Sequence, residues 1–230
     1  MKKRIAARGY GFIPVLILLL VSVVSVMSAR AQGQLKNSGK HVGELVPSGW
    51  EHMEATGDLN KDGITDLIVS ATPNNKAHMR VREDGYVYNF NQPIFGIYFG
   101  TRNGAYKCWK QYNHFMPALG SENELLDCSV TITKQGTISI SVGRMYSAGG
   151  SDHSTDTYVF RYQNGGFFLI GKDEDSYSRM SGQRAFVSYN YLTGKKQTVK
   201  NNVFDESVKP VEKWTQMKKS PLMRMEDMSL

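Results

Sequence analysis

Past an apolar opening segment, apolar residues recur along this chain with period two, and no long stretch holds the 3.6-residue period of a helix. Cys128, Val130 and Ile132 alternate with Ser129, Thr131 and Thr133. After a Lys134-Gln135-Gly136 turn, Ile138, Ile140 and Val142 alternate with Ser139 and Ser141, which predicts a half-buried antiparallel hairpin. Residues 94–101 and 105–112 flank Arg102-Asn103-Gly104, and Asn-Gly between two strand-like runs is a strong hairpin signal. Residues 157–162 and 167–171 form the next predicted pair across Asn164-Gly165-Gly166, and residues 186–192 and 197–203 the last across 193–196. Polar stretches at 74–91, 114–124 and 147–156 read as loops. The charged, Met-rich part from Asp205 reads as a short strand or helix packed on a sheet edge. Repeated hairpins imply meander sheets, so the expected fold is all-β, as propeller-blade-like units or a sandwich.

The opening segment changes the reading of charge. Residues 1–31 predict a secretory signal: Lys2, Lys3, Arg4 and Arg8 precede the apolar core 13–26, and Ala29-Arg30-Ala31 is a small-x-small cleavage site that would leave Gln32 first. An uncleaved anchor is the competing reading, but the apolar run is shorter than the ~20 residues a span needs. The whole chain is +7, yet this segment holds five basic residues and no acid, so the remainder is near +2. The basic balance therefore belongs to export and gives no argument for nucleic-acid binding. The expected product is periplasmic or extracellular, with no stable membrane insertion. Residues 32–44 predict a flexible leader, and 45–230 one all-β domain composed of units 45–118 and 119–230.

The chemically specific stretch is Gly57 to Ser70, GDLNKDGITDLIVS. Oxygen ligands recur at Asp58, Asn60, Asp62 and Asp66, and Gly63 permits the sharp turn that would aim the Ile64 carbonyl at the same point. Calcium takes six to eight hard oxygens at about 2.3–2.6 Å, and such a loop can supply several. It is not an EF-hand, whose loop closes with a bidentate Glu at its twelfth position; here Val69 stands there. Leu67-Ile68-Val69 predicts a buried strand, and residues 50–56 can form another, so the loop is the tip of a strand-loop-strand unit. An Asx-type turn without metal is the alternative.

In that form the stretch resembles the calcium loop of FG-GAP (VCBS-type) repeats of integrin alpha-subunit propellers and secreted bacterial proteins. IFGIYFGTRNGAY, residues 94–106, looks like the second half of the same repeat, so that one unit covers about 50–112. The resemblance implies calcium as the cofactor, with Asp58, Asn60, Asp62 and Asp66 as side-chain ligands and Ile64 as a backbone ligand. The stretch 157–179 with 188–195 also resembles the C-terminal half of small exported bacterial proteins carrying one such loop, a group that implies no activity.

Other candidates carry less chemistry. Cys108 and Cys128 are the two cysteines of the chain, and an oxidising compartment favours a disulfide between them over two buried thiols. His41, His52, His78, His114 and His153 lack zinc-ligand spacing. Asp152-His153 near Asp156, and Asp173-Glu174-Asp175 as a weak cation site, both read better as solvated turns. Tyr158, Phe160 and Tyr162 share a strand face, as do Phe95, Ile97 and Phe99; each set is either core or an exposed platform for sugar or peptide.

The expected function is that of an exported, calcium-stabilised, non-catalytic β protein that binds a protein or glycan partner. The alternatives are a hydrolase of envelope or extracellular polymers using loop carboxylates, and an inhibitor of a foreign enzyme.

Overall fold

The computed structural model describes residues 34–148 and 150–230. The signal expected over 1–31 and its cleavage before Gln32 lie outside the described residues.

Two antiparallel sheets share the chain. The first is five-stranded, in the order β1 (Ser38–Gly39), β7 (Tyr106–Tyr112), β6 (Ile94–Gly100), β3 (Asp66–Thr72), β2 (Glu51–Gly57). A small separate hairpin, β4 (Met79–Val81) with β5 (Val87–Asn89), is inserted between β3 and β6. The second sheet is a seven-stranded meander that curls into a half-barrel: β8 (Glu124–Ile132), β9 (Thr137–Tyr146), β10 (Asp152–Gln163), β11 (Gly166–Ser178), β12 (Gln183–Asn190), β13 (Lys195–Asn202) and β14 (Val211–Gln216). The all-β expectation thus holds: β2, β3, β6 and β7 make one four-stranded blade-like meander, and the second sheet packs on it.

The first sheet is covered on both faces, which explains the unbroken apolar run in β3. Ile68 joins Phe95, Ile97, Ile138, Ile140 and Phe160 in the core between the sheets. Its neighbours Leu67 and Val69 point the other way, to a second cluster with Leu35, Leu45, Ile94 and Tyr98. That second cluster overturns the flexible leader. Leu35 and Leu45, the last residue of α1 (Val42–Leu45), are buried against the sheet, and Gln111 binds Leu35 through both backbone groups, N at 3.1 Å and O at 2.8 Å. Burying each leucine stabilises by about 2 kcal/mol and, with the Gln111 hydrogen bonds, anchors the segment at its two ends.

The aromatic rows resolve as core. Phe99, Trp109, Tyr162 and Phe167 interlock with ring centroids 5.1–6.1 Å apart, and Phe115 sits 5.0 Å from Phe95 and 5.8 Å from Phe160. The C-terminal tail closes this core. Met225 is buried in it, Leu169 N donates to Met223 O, Leu230 N donates to Phe115 O, and Glu226 pairs with Lys110 of β7.

Strand reaches into two of the stretches read as loops, β4 and β5 into 74–91 and β10 into 147–156, and β11 runs on past its predicted end. Residues 152–156 and 172–178 extend β10 and β11 beyond the predicted hairpin. Their inner-face residues are polar, so no apolar alternation marks them. They are held by pairing on both sides and by a charge network: Lys172 Nζ lies 2.7 Å from Glu174 and 3.3 Å from Asp156, while Tyr158 and Tyr189 donate to Asp156 and Glu174.

Candidate metal centre

The β2–β3 loop winds around the carboxylate of Asp58. Lys61 N and Asp62 N donate to Asp58 Oδ1 at 2.7 and 3.2 Å, and Gly63 N donates to Oδ2 at 2.9 Å. The turn needs left-handed backbone at two positions, Lys61 (φ 63°) and Gly63 (φ 81°). The glycine adopts this at no steric cost. Asn60 Oδ1 accepts from Asp62 N at 3.1 Å, and Asp62 Oδ1 from Ile64 N at 2.8 Å. The Asn60 amide donates to Asp62 Oδ2 at 3.0 Å.

Asp66 closes the loop from the sheet side. It is fully buried at the head of β3, and both oxygens are held: Leu59 N donates to Oδ2 and Gly100 N to Oδ1, each at 2.8 Å. Burial raises its carboxyl above the usual range, against the opposing pull of these N–H groups, and the nearby Asp62 adds to the rise. The structure therefore joins Asp58, Asn60, Asp62 and Asp66 in one hydrogen-bonded loop, with the backbone of Ile64 inside it.

The donor set fits a hard divalent cation chemically: three carboxylates, an amide oxygen and a backbone carbonyl, all oxygen. Their bonds in this structure run to N–H groups of the loop, and the Asn60 amide supplies the positive end that bridges to Asp62. Among the described residues no group of three or more His, Cys, Asp or Glu is gathered closely enough to hold a metal. The turn Thr133–Gly136 between β8 and β9 stands against the loop, leaving a groove of about 500 Å³ lined by Asp58, Lys61 and Lys134.

The remaining sequence candidates fall apart in space. Cys108 and Cys128 are free thiols, which corrects the disulfide. Cys108 faces the cluster of Leu35 and Tyr98, while Cys128 packs into the core between the sheets. The first sheet stands between them. Burial raises both thiols, that of Cys128 to about 11. His153 and Asp156 point to opposite faces of β10; His153 lies beside Tyr177 and Asp156 beside Lys172. Asp173, Glu174 and Asp175 lie within β11 rather than in a turn. Glu174 binds Lys172 and Asp175 binds Arg184 from opposite faces. None of these forms an acid-base pair or a cation site.

One feature had no signature in the sequence: a cleft of about 960 Å³ at the far end of β2 and β3 from the loop. It is built by residues from the β4–β5 hairpin, the 116–122 connector and β8, distant in sequence.

Residues 54–90 match the family model of the FG-GAP repeat, covering most of β2, the loop, β3 and the β4–β5 hairpin. No curated protein and no solved structure matches the chain. The chain thus carries one FG-GAP repeat, of a kind that binds calcium in integrins, set in an all-β fold. Among the described residues no helix is long and apolar enough to cross a membrane.

Proposed function

We propose that this protein is an exported, calcium-binding, non-catalytic β protein that presents a surface to a protein or glycan partner. The observation that carries the calcium reading is the loop itself: Asp58, Asn60 and Asp62 alternate on a backbone curled by Gly63, with Asp66 fixed behind them. Asp58, Asn60, Asp62 and Asp66 would hold the ion through side chains and Ile64 through its carbonyl. When bound, the ion supplies positive charge among three carboxylates and so stiffens the tip; it is structural. The match of residues 54–90 to a repeat used in binding proteins supports a recognition role. The basic, apolar, small-x-small opening segment supports export.

The test is calorimetric titration of chelator-stripped protein with calcium and with magnesium, alongside Asp62→Ala. One calcium per chain, weaker magnesium and no binding by the variant are expected. Absence of calcium binding at 10 mM, well above the ~10⁻³ M of weak extracellular sites, overturns the reading.

A further inference from the structure

The large cleft lies between two sheet edges. β2 ends the first sheet and β8 ends the second, and no strand pairs with their outer sides among the described residues. The two strands meet where Gly57 lies against the Ile132 side chain. Toward their first residues the cleft opens, with Glu51 and Met53 on one side and Leu126 and Cys128 on the other. From the metal loop to this mouth is the length of β2, seven residues, or about 20 Å at ~3.3 Å each. A ligand here would not touch the loop.

The lining separates into a soft apolar floor and an acidic rim. Met53, Met116 and Leu126 form the floor, and all three pack on the core between the sheets. Methionine adapts to varied apolar side chains. Four carboxylates line the cleft, Glu51, Glu122, Glu124 and Asp127, against one basic residue, Arg82, which is held by Asp84. Glu122 is paired with Arg80 at 2.9 Å, and that bond ties the β4–β5 hairpin to the connector as one wall. Glu124 is buried, accepts from Gly120 N at 2.6 Å and is paired with Arg144 Nε at 3.6 Å, so its charge is met. The side chains of Glu51 and Asp127 are exposed and engage no partner, so they leave uncompensated negative charge at the mouth.

The aromatic wall argues against a sugar. Tyr86 is 55% exposed, but it meets Tyr88 edge-on at 72°, and the Arg82 guanidinium covers one of its faces at 5.7 Å. The rings present no continuous flat platform for a sugar ring to stack on. Two unpaired strand edges offer backbone donors and acceptors, which an extended peptide matches and a glycan does not.

We infer that this cleft binds an extended, cationic peptide segment of a protein partner, with Lys or Arg at Glu51 and Asp127 and apolar side chains over Met53 and Met116. The inference rests on the partner-binding reading above and names its site and chemistry.

The test uses full-length protein and a labelled peptide, acetyl-Lys-Leu-Lys-Phe-Lys-Leu-Lys-amide, followed by fluorescence anisotropy. Comparison ligands are the same peptide with Glu for Lys, the cationic peptide N-methylated at alternate backbone nitrogens, and chitopentaose. Binding of the cationic peptide alone is expected. It should weaken about tenfold between low and high salt, and about tenfold in Glu51→Gln/Asp127→Asn, both exposed positions that leave the fold intact. The control Asp205→Asn/Glu206→Gln removes two acids outside the cleft and should bind normally. No binding at 1 mM peptide, equal loss in the control, or undiminished binding of the methylated peptide overturns the inference. Displacement of the peptide by chitopentaose would also overturn it. Calcium binding at the loop is read separately, so each of these failures leaves the calcium reading standing.

Discussion

Gly100 gives its backbone N–H to Asp66 Oδ1 at 2.8 Å, from a strand that arrives 34 residues later in the chain. The bond joins the last residue of β6 to the first of β3 and fixes the base of the loop to the sheet. It also explains why the residue after Phe99 is glycine: a Cβ at Gly100 would sit inside contact distance of Thr65 O and against Ile64. Gly100→Ala must push the backbone of residues 64–65 away and lengthen the bond to Asp66. Overpacking with a weakened charged hydrogen bond should cost about 3 kcal/mol. Thermal melting should fall by about 6–12 °C for a domain of this size.

The thiols give a second prediction. Folded protein, exported and unreduced, should react slowly with iodoacetamide at pH 8, because Cys128 titrates near 11 and burial raises Cys108 as well. After denaturation without reductant, mass analysis should find both cysteines alkylated. A mass two hydrogens short, with no label, would show a bridge and require the first sheet to rearrange.

The charge network on β10–β12 predicts a pH dependence. Burial acts to raise the Glu174 carboxyl, but Lys172 and Tyr189 outweigh it, and the group ends below its usual range. A carboxylate depressed by folding adds stability above its unfolded pKa and loses it as pH falls through the folded value. Lys172→Met should therefore cost about 1–2 kcal/mol at pH 7, allowing for partial exposure, and the gap to wild type should narrow as pH falls below the usual carboxylate range and Glu174 is protonated. Urea melts of both proteins at pH 7 and pH 3.5 check this; a pH-independent gap would assign the loss to packing.

Met225 tests the C-terminal closure. It is 1% exposed between the sheets, on a tail that β11 and the Phe115 carbonyl hold. Met225→Ala should cost about 2–4 kcal/mol. Deletion of residues 223–230 should cost more and raise binding of a hydrophobic dye, since it uncovers Phe168 and the Phe115 cluster.

The hairpins and the loop were legible because each is local. Val130 and Ile132 show their alternation within one strand, and Asn103-Gly104 names its own turn. The disulfide failed on a property that is not local. Strand parity shows that Cys108 and Tyr106 share a face, but not that this face has its own cluster built by Leu35 and Leu45. A β-bulge between Ile97 and Tyr98 further shifts the register opposite Cys108, and nothing in residues 105–112 marks it. The outer halves of β10 and β11 were missed for the opposite reason. Asp156, Lys172 and Glu174 satisfy one another across strands, so the strand carries no apolar signal. The cleft is the extreme case, since Glu51 and Asp127 come to line one cavity only through the placement of two sheet edges.

Calcium separates the two roles of the loop's acids. Asp66 is buried and answers two backbone N–H groups, so it holds the fold with or without an ion. Asp66→Asn should cost about 1–3 kcal/mol in chelator, because an amide nitrogen would then face a backbone donor. Asp62 is exposed, and its bonds stay within the loop, to Ile64 N and the Asn60 amide. Asp62→Ala should leave the melting temperature in chelator nearly unchanged. In wild type, an affinity of about 10⁻⁴–10⁻³ M at a few millimolar calcium yields roughly 0.5–2 kcal/mol, or about 2–6 °C. Asp62→Ala should lose most of that rise, and magnesium should give less of it because its octahedral shell is smaller. A rise that survives Asp62→Ala in full would place the ion elsewhere. The same melting temperature for stripped wild type with and without calcium would mean that the loop is closed by its own N–H groups alone.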